Sequence, residues 1–308
     1  MNYKAKSKLS EFNKFLSILL VIAIIFLIVA VALNLGDKGA PADANNAAAE
    51  DVVTIDEFKA GTYGGVQFNT VEDVVNYYVE AYDYTKTLTE PYTYNGEPTT
   101  CYKLMGNEGL EVKNLLVEGN SNSMLDNLVP GIVGGLFQGG VKGLPPSGGL
   151  NPDIDTVTDD KINVSKSLLT PDDVLAANVV DNGDGTITLT IQPKEKILSM
   201  PAQDSQGHFF NTLGDISSVV ESISVLSFSS GTINDNFVVA YKGGSGVITI
   251  DTATKEITKA DYTMLVHIDV QHANVAVLKD KSASLDIVYT NQFPATTEYL
   301  NEKGFVKA

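Results

Sequence analysis

The chain has three histidines, and two of them lie in a segment that predicts a β-strand. That segment, residues 265–272, reads LVHIDVQH, so apolar and polar residues alternate along it. Side chains alternate between the two faces of a strand, so His267 and Asp269 should share one face while His272 points to the other with the apolar residues. His267 and Asp269 could supply two metal ligands, but the solvated face of a half-buried strand explains them better. We therefore expect no metal and no cofactor.

Two glycine-rich segments contain the residue types of functional loops without their spacing. In residues 243–247, GGSGV, Val247 replaces the last glycine of a serine-hydrolase elbow and a strand follows, so a hairpin turn is predicted. In residues 181–185, DNGDG, glycines replace the oxygen ligands of a calcium loop, and Gln192 stands where its final glutamate should be. Carboxylate pairs are uninformative because the chain has 38 acidic residues, so an extracellular hydrolase is only a third hypothesis.

The charge of the chain excludes one class of partner. The net charge is −17, and it becomes −20 once the first 14 residues, with four lysines and one glutamate, are left out. Nucleic acid is therefore not an expected partner. The sequence contains no arginine, so the planar group that usually binds phosphate and carboxylate is missing. The one cysteine, Cys101, excludes an internal disulfide, and we expect a buried thiol in a strand.

The N-terminus predicts a membrane anchor. Residues 15–35 form an uncharged apolar run of about 20 residues, the length that crosses a bilayer as a helix. The lysines before it place residues 1–14 in the cytoplasm by the positive-inside rule. Residues 36–51 are small and polar, which predicts a flexible linker, and residues 52–308 would then form one extracellular domain. The alternative is a secretory signal peptide cleaved near Ala42 or Ala44, which would release the same domain.

Several elements of the outer domain can be predicted from local patterns. Thr70 and Asp73 form a capping pair before an amphipathic helix, residues 71–86, whose tyrosines we expect to pack in the core. Thr170 precedes Pro171 at the start of a second, short helix. The predicted strands are residues 99–105, 110–118, 178–180, 186–191, 236–242, 246–250, 256–271 and 281–291, with turns at 106–109, 182–185, 243–245, 252–255 and 279–281. A further short helix is predicted at residues 209–216.

Residues 123–150 are the most unusual part of the outer domain, because an apolar helical pattern is interrupted by glycines and Pro130. The predicted helix spans residues 124–137. A helix lying close against a sheet explains this composition, and the alternatives are a movable lid over an apolar groove or a segment that enters lipid. The candidate ligand-binding residues are those on the apolar face of this helix: Leu125, Leu128, Val129, Ile132, Val133, Leu136 and Phe137.

Four segments between residues 160 and 290 carry a resemblance. They are TPDDV (170–174), NGDGT (182–186), GHFF (207–210) and VITIDTATKEITKADYTM (247–264). In this order they resemble uncharacterised exported proteins of Gram-positive gut bacteria. The architecture is also similar to that of the lipoprotein carriers and mycobacterial lipid-binding lipoproteins, in which a curved antiparallel sheet wraps helices around an apolar cavity. This chain lacks the lipidation cysteine of that group.

These observations predict an α+β fold, in which a large curved antiparallel sheet of residues 99–118 and 178–291 carries a few helices on one face and follows a transmembrane helix. The leading hypothesis for function is a non-enzymatic, membrane-tethered extracellular binding module. Its apolar or envelope-derived ligand would lie between the sheet and the helix at residues 124–137. The alternative is a cell-surface domain that recognises another protein.

Overall fold

A computed structural model describes residues 55–121, 139–146, 150, 166–212, 214, 226–275 and 278–308. Fifteen strands, three α-helices and one 3₁₀ helix lie in these ranges. The strands are β1 (Gly61–Tyr63), β2 (Val66–Phe68), β3 (Thr89–Tyr94), β4 (Glu97–Tyr102), β5 (Gly106–Val117), β6 (Val141–Lys142), β7 (Val174–Asp181), β8 (Thr186–Pro193), β9 (Lys196–Ile197), β10 (Leu226–Phe228), β11 (Phe237–Tyr241), β12 (Ser245–Asp251), β13 (Ile257–Val275), β14 (Leu278–Phe293) and β15 (Phe305–Lys307). The helices are α1 (Val71–Thr85), the 3₁₀ helix (Pro171–Asp173), α2 (Ile233–Asn236) and α3 (Thr297–Glu302).

Ten of the described strands form one antiparallel sheet, which confirms the prediction of an antiparallel β-fold with few helices. Its main path is β6-β5-β14-β13-β12-β8-β7, and β13 also pairs with β10 and β11. The centre of the sheet is the hairpin of β13 and β14, whose strands pair from Ala260 and Phe293 to Val275 and Leu278. The 19 residues of β13 extend over roughly 60 Å. All the described pairings are antiparallel, as the short connections between strands predict.

Two predicted turns lie inside longer strands. Gly106–Gly109 belongs to β5, and β5 pairs with β14 and β6 instead of with β4. Residues 279–281 belong to β14. The turn predictions were wrong because these residue types also occur within long strands, and glycine is suited to positions where the neighbouring strand comes close. At Gly106, for example, an added Cβ would lie 2.3 Å from the carbonyl oxygen of Gln292 on β14.

The segment at residues 243–245 joins two strands that lie end to end, so the predicted hairpin turn is also wrong. β11 pairs with residues 266–270 of β13, and β12 pairs with residues 257–263 of the same strand. The chain therefore continues in one direction along β13 instead of reversing. Gly244 has φ +79°, and an added Cβ would lie 2.7 Å from the carbonyl oxygen of Thr263. Only glycine combines this backbone conformation with such a close approach.

Helix α1 packs on one face of the sheet, which we call the inner face. It begins as predicted, because Thr70 accepts a hydrogen bond from the backbone of Asp73, whose carboxylate accepts one from the backbone of Thr70. Val74, Val75, Tyr78 and Tyr82 are buried at helical spacing. Three of its four tyrosines are buried, as expected, whereas Tyr84 is exposed. At its end the buried Lys86 lies with Nζ 4.0 Å from the centre of the Tyr102 ring.

A separate three-stranded sheet, in the order β15-β3-β4, joins the C-terminus to residues 89–102. The prediction placed the strand at residues 99–105 in the large sheet, and this was wrong. Cys101 lies in β4 as a buried free thiol, and burial raises its pKa. This confirms the expected role of the cysteine. Phe305 of β15 stacks on Tyr94 of β3, with ring centres 4.5 Å apart.

One predicted helix is not formed where the chain is described, and two others cannot be compared with the structure. Residues 209–212 of the predicted helix 209–216 are not helical, and Phe209 and Phe210 are buried. The predicted helix at 124–137 lies outside the described residues, and so does the predicted anchor at 15–35. None of the helices in the described part of the chain is long and apolar enough to cross a membrane.

Candidate functional site

The inner face of the ten-stranded sheet is apolar along most of the central hairpin. On β13 the side chains of Met264, Val266, Ile268 and Val270 all point to this face and are at most 3% exposed. Leu285 and Ile287 continue the surface on β14, and Leu115 and Val117 continue it on β5. The inner face is therefore one continuous apolar surface that spans three neighbouring strands.

One group of polar residues interrupts this apolar surface. Tyr262 of β13, Asn291 of β14 and Glu108 of β5 lie side by side in register across the three strands. Tyr289 lies two residues before Asn291 on the same face, and Tyr78 reaches the group from α1. We call these five residues, Tyr78, Glu108, Tyr262, Tyr289 and Asn291, the inner polar cluster.

Glu108 is the acidic member of the cluster and is only 6% exposed. Its Oε1 accepts a hydrogen bond from the Tyr289 hydroxyl. Its Oε2 accepts a longer one, 3.4 Å, from the backbone N–H of Gly140. The backbone N–H of Glu108 donates in turn to the carbonyl oxygen of Gly140 at 3.1 Å. Both oxygens of the carboxylate therefore accept hydrogen bonds, as a buried carboxylate requires.

Tyr78 and Tyr262 join α1 to the sheet through their hydroxyl groups, whose oxygens lie 3.0 Å apart. Burial raises the pKa of both phenols well above the usual value, and the proximity of the two rings raises that of Tyr78 further. Both remain neutral hydrogen-bond donors at physiological pH. The ring of Phe209 packs edge-on against both, with centre distances of 5.6 and 5.4 Å. This aromatic packing holds the hydroxyl pair in place.

The hydrogen bonding of the Asn291 side chain is incomplete. Its side chain is 2% exposed, and Nδ2 has no hydrogen-bond partner among the described residues. A buried amide donor without an acceptor costs about 1–3 kcal/mol. The position lies between Tyr262 and Glu108, in the middle of the inner polar cluster. The cluster therefore contains a donor that a molecule other than the described chain could satisfy.

The seven residues predicted to bind a ligand cannot be compared with this cluster. Leu125, Leu128, Val129, Ile132, Val133, Leu136 and Phe137 all lie outside the described residues. The described residues on either side of this segment lie close to β5. Before it, Asn120 forms a β-bridge with Val117, and after it, Gly140 is hydrogen-bonded to Glu108.

Each of the three histidines pairs through Nδ1 with an aspartate. The distances are 3.0 Å for His208 and Asp173, 2.7 Å for His267 and Asp286, and 2.8 Å for His272 and Asp280. Within the described residues, no group of three or more histidine, cysteine or acidic side chains could hold a metal ion. The partner of His267 is thus Asp286 on the neighbouring strand, and Asp269 instead accepts from Gln271 at 2.8 Å.

A bulge changes the predicted orientation of His272. The pairing of β13 with β14 shifts register between Val270 and Ala273, and His272 has φ +53°. The extra residue returns Ala273 to the buried face and leaves His272 exposed. The expectation that His272 points with Val270 to the apolar face was therefore wrong.

The loop resembling a calcium site uses its carboxylates within the turn. Asp181 accepts hydrogen bonds from the backbone N–H groups of Gly64 and Gly183, at 2.7 and 2.8 Å. Asp184 accepts from the backbone N–H and the hydroxyl of Thr186. These donors lower the pKa of both aspartates. The segment forms the turn between β7 and β8, as predicted.

Comparison with known proteins adds no functional assignment. No family model, no curated protein and no solved structure matches the chain. The resemblance to exported proteins of Gram-positive gut bacteria is therefore untested. The candidate site rests on the geometry of the inner face alone.

Proposed function

We propose that this chain is a membrane-tethered extracellular binding module that holds an apolar molecule against the inner face of its sheet. The observation that supports the proposal is the unpartnered amide of Asn291 within the inner polar cluster. An apolar surface with one polar group in its middle suits a ligand that is mostly hydrocarbon and bears a single polar group.

The two parts of the inner face would have different roles in binding. Apolar side chains such as Ile268 and Ile287 would contribute affinity by removing hydrocarbon from water, at about 25 cal/mol per Å² of buried surface. The inner polar cluster would fix the position of the ligand along the sheet. These side chains are closely packed, so entry of a ligand requires the packing on the inner face to separate.

The predicted anchor supports the proposed location. Residues 15–35 have the length and composition of a transmembrane helix, and the linker of residues 36–51 would keep the domain near the outer surface of the membrane. The linker can extend at most about 50 Å, so the ligand would be an envelope component or a molecule that reaches the outer leaflet.

The proposal can be tested by identifying what copurifies with the full chain. We expect mass spectrometry of an organic extract, from protein purified in detergent from its own host, to detect one apolar species in stoichiometric amount. A second membrane protein purified in parallel controls for bulk lipid. An extract that matches this control would contradict the proposal, and a specific surface protein retained instead would favour the alternative of protein recognition.

Two neighbouring variants locate the binding surface. Ala283 points to the inner face opposite Val270, whereas Ser284 points to the outer face opposite Asp269. Ala283→Phe places a ring on the inner face, and we expect it to abolish copurification. Ser284→Phe adds the same ring to the outer face and should leave copurification unchanged. Far-UV circular dichroism shows whether both variants fold, and equal ligand content in the two folded variants would exclude binding at this end of the inner face.

A further inference from the structure

The inner polar cluster has more hydrogen-bond donors than the described residues satisfy. A hydrogen bond between two hydroxyl groups uses one proton, so one phenol of the Tyr78 and Tyr262 pair has a proton without an acceptor in the described chain. Nδ2 of Asn291 also lacks an acceptor. Asn291 is the cross-strand neighbour of Tyr262, which places the two side chains on the same face with Cβ atoms roughly 5 Å apart. A complementary ligand group must therefore accept hydrogen bonds.

The charge around these donors restricts the ligand group further. The donors are an amide and a phenol, which are both uncharged. Glu108, the other cross-strand neighbour of Asn291, brings a carboxylate close to the same position. Burial of an anion beside a carboxylate and opposite neutral donors would be strongly unfavourable. The chain also has no arginine with which to bind a carboxylate or a phosphate.

We propose that the polar group of the ligand is an uncharged acceptor, the carbonyl oxygen of an ester or amide, that accepts a hydrogen bond from Nδ2 of Asn291. This inference rests on the proposed function and specifies its ligand class. The module would thus prefer acyl esters or amides to free fatty acids and phosphate monoesters of the same chain length. This hydrogen bond to the ligand would also remove the free-energy cost of the unpartnered amide.

The test compares two probes that differ only in the head group. The full chain is reconstituted in lipid nanodiscs and loaded with the neutral fluorescent probe N-phenyl-1-naphthylamine, with empty nanodiscs as the blank. Methyl dodecanoate and dodecanoate are then used to displace the probe at pH 8. We expect the ester to displace it at about tenfold lower concentration, the effect of one additional buried hydrogen bond together with the excluded charge.

Variants of Asn291 show whether this residue makes the distinction. We expect Asn291→Leu to weaken ester binding about tenfold more than it weakens binding of the naphthylamine probe. Asn291→Asp, which keeps the size of the side chain and replaces the donor with an acceptor, should weaken it at least as much. Gln292→Leu is the matched control, because Gln292 is the exposed next residue on the outer face, and it should change neither affinity.

The outcomes separate the inference from the proposed function. Equal displacement by ester and acid in the wild type, or ester affinity unchanged in Asn291→Leu, would overturn the carbonyl assignment while the binding module stands. Such results would mean that a water molecule satisfies the amide. Failure of the full chain to bind the naphthylamine probe above the blank would overturn both proposals.

Discussion

Asn291 should have opposite effects on stability and on binding. Because its buried Nδ2 has no partner in the described chain, replacing the amide with a hydrocarbon of similar size removes a desolvation cost. We expect Asn291→Leu to raise the free energy of unfolding of the ligand-free full chain by about 1 kcal/mol, measured by urea denaturation. A loss of stability of that size would show that the amide is satisfied within the protein.

Aspartates make the fold sensitive to acid. Burial alone would raise the pKa of Asp173, but hydrogen bonds from His208 and Thr170 hold it below its usual value. Backbone and side-chain donors likewise lower the pKa of six other aspartates: Asp73, Asp181, Asp184, Asp235, Asp251 and Asp280. A carboxylate with a lowered folded-state pKa stabilises the fold above its unfolded-state pKa of about 4, and this stabilisation disappears as the pH falls through the folded-state value.

We expect these aspartates to raise the urea concentration at the midpoint of unfolding above about pH 4. This contribution should disappear only below that pH. Asp173→Asn should have a lower midpoint than the wild type at pH 7 and a smaller further decrease at pH 3. A variant that decreases by as much as the wild type between these pH values would show that Asp173 does not contribute to the acid sensitivity.

At the scale of single elements, the start of α1 is the clearest local determinant. The Thr70 hydroxyl accepts a hydrogen bond from the backbone of Asp73. We expect Thr70→Ala to lower the free energy of unfolding by about 1 kcal/mol. Asn76→Ala, at an exposed position within the same helix, is the control and should change the stability by less than about 0.5 kcal/mol. Equal effects of the two substitutions would exclude the cap as the cause.

Strand β7 is an edge of the large sheet and is protected by its own side chains. The backbone N–H of Asn182 donates to the carbonyl oxygen of Thr186. Along antiparallel strands, residue pairs that exchange backbone hydrogen bonds alternate with pairs that do not. Counted from Asn182, Val179 belongs to a pair that does not, so its N–H points away from β8. The side chain of Asn178 accepts a hydrogen bond from this N–H at 2.8 Å. The strand also exposes Leu175 and Val180. The Asn178 side chain therefore occupies a backbone donor with which another strand could otherwise pair.

Removal of this acceptor should allow edge-to-edge association. We expect Asn178→Val to increase the fraction of dimers and larger species with protein concentration, measured by analytical ultracentrifugation of the full chain in detergent. Asn178→Asp keeps an acceptor oxygen in the same place and should sediment as the wild type does. Identical sedimentation of Asn178→Val and the wild type would show that this hydrogen bond does not protect the edge.

Local signals predicted elements well where a few neighbouring residues determine the structure. The cap at Thr70, the short helix that follows Thr170 and the hairpin of β7 and β8 are all formed within a few residues, and all were predicted. The segments 106–109 and 243–245 were assigned as turns because they are rich in glycine. A glycine can lie in a turn or within a strand, close to the backbone of the next strand. Which of these occurs depends on distant residues, such as Gln292 for Gly106. Local patterns do not contain that information.

The candidate site depends on how the strands of the whole molecule pair. It could not be predicted, because local patterns do not show which distant residues become neighbours. Glu108, Tyr262 and Asn291 are neighbours only because β5, β14 and β13 pair in one particular register. A strand prediction that began at Gly106 would have placed Glu108 on the core face, and this buried acid would have been a signal. The fold class was predictable, since alternating strands with short connections already indicate an antiparallel sheet.

Native mass spectrometry of the full chain shows whether the inner face binds an apolar molecule. The protein is purified in detergent from its own host, and the detergent is removed in the gas phase. We expect a species heavier than the chain by one non-protein molecule, present in the wild type and in Ser284→Phe and absent in Ala283→Phe. A spectrum in which the wild type shows only the mass of the bare chain would contradict it.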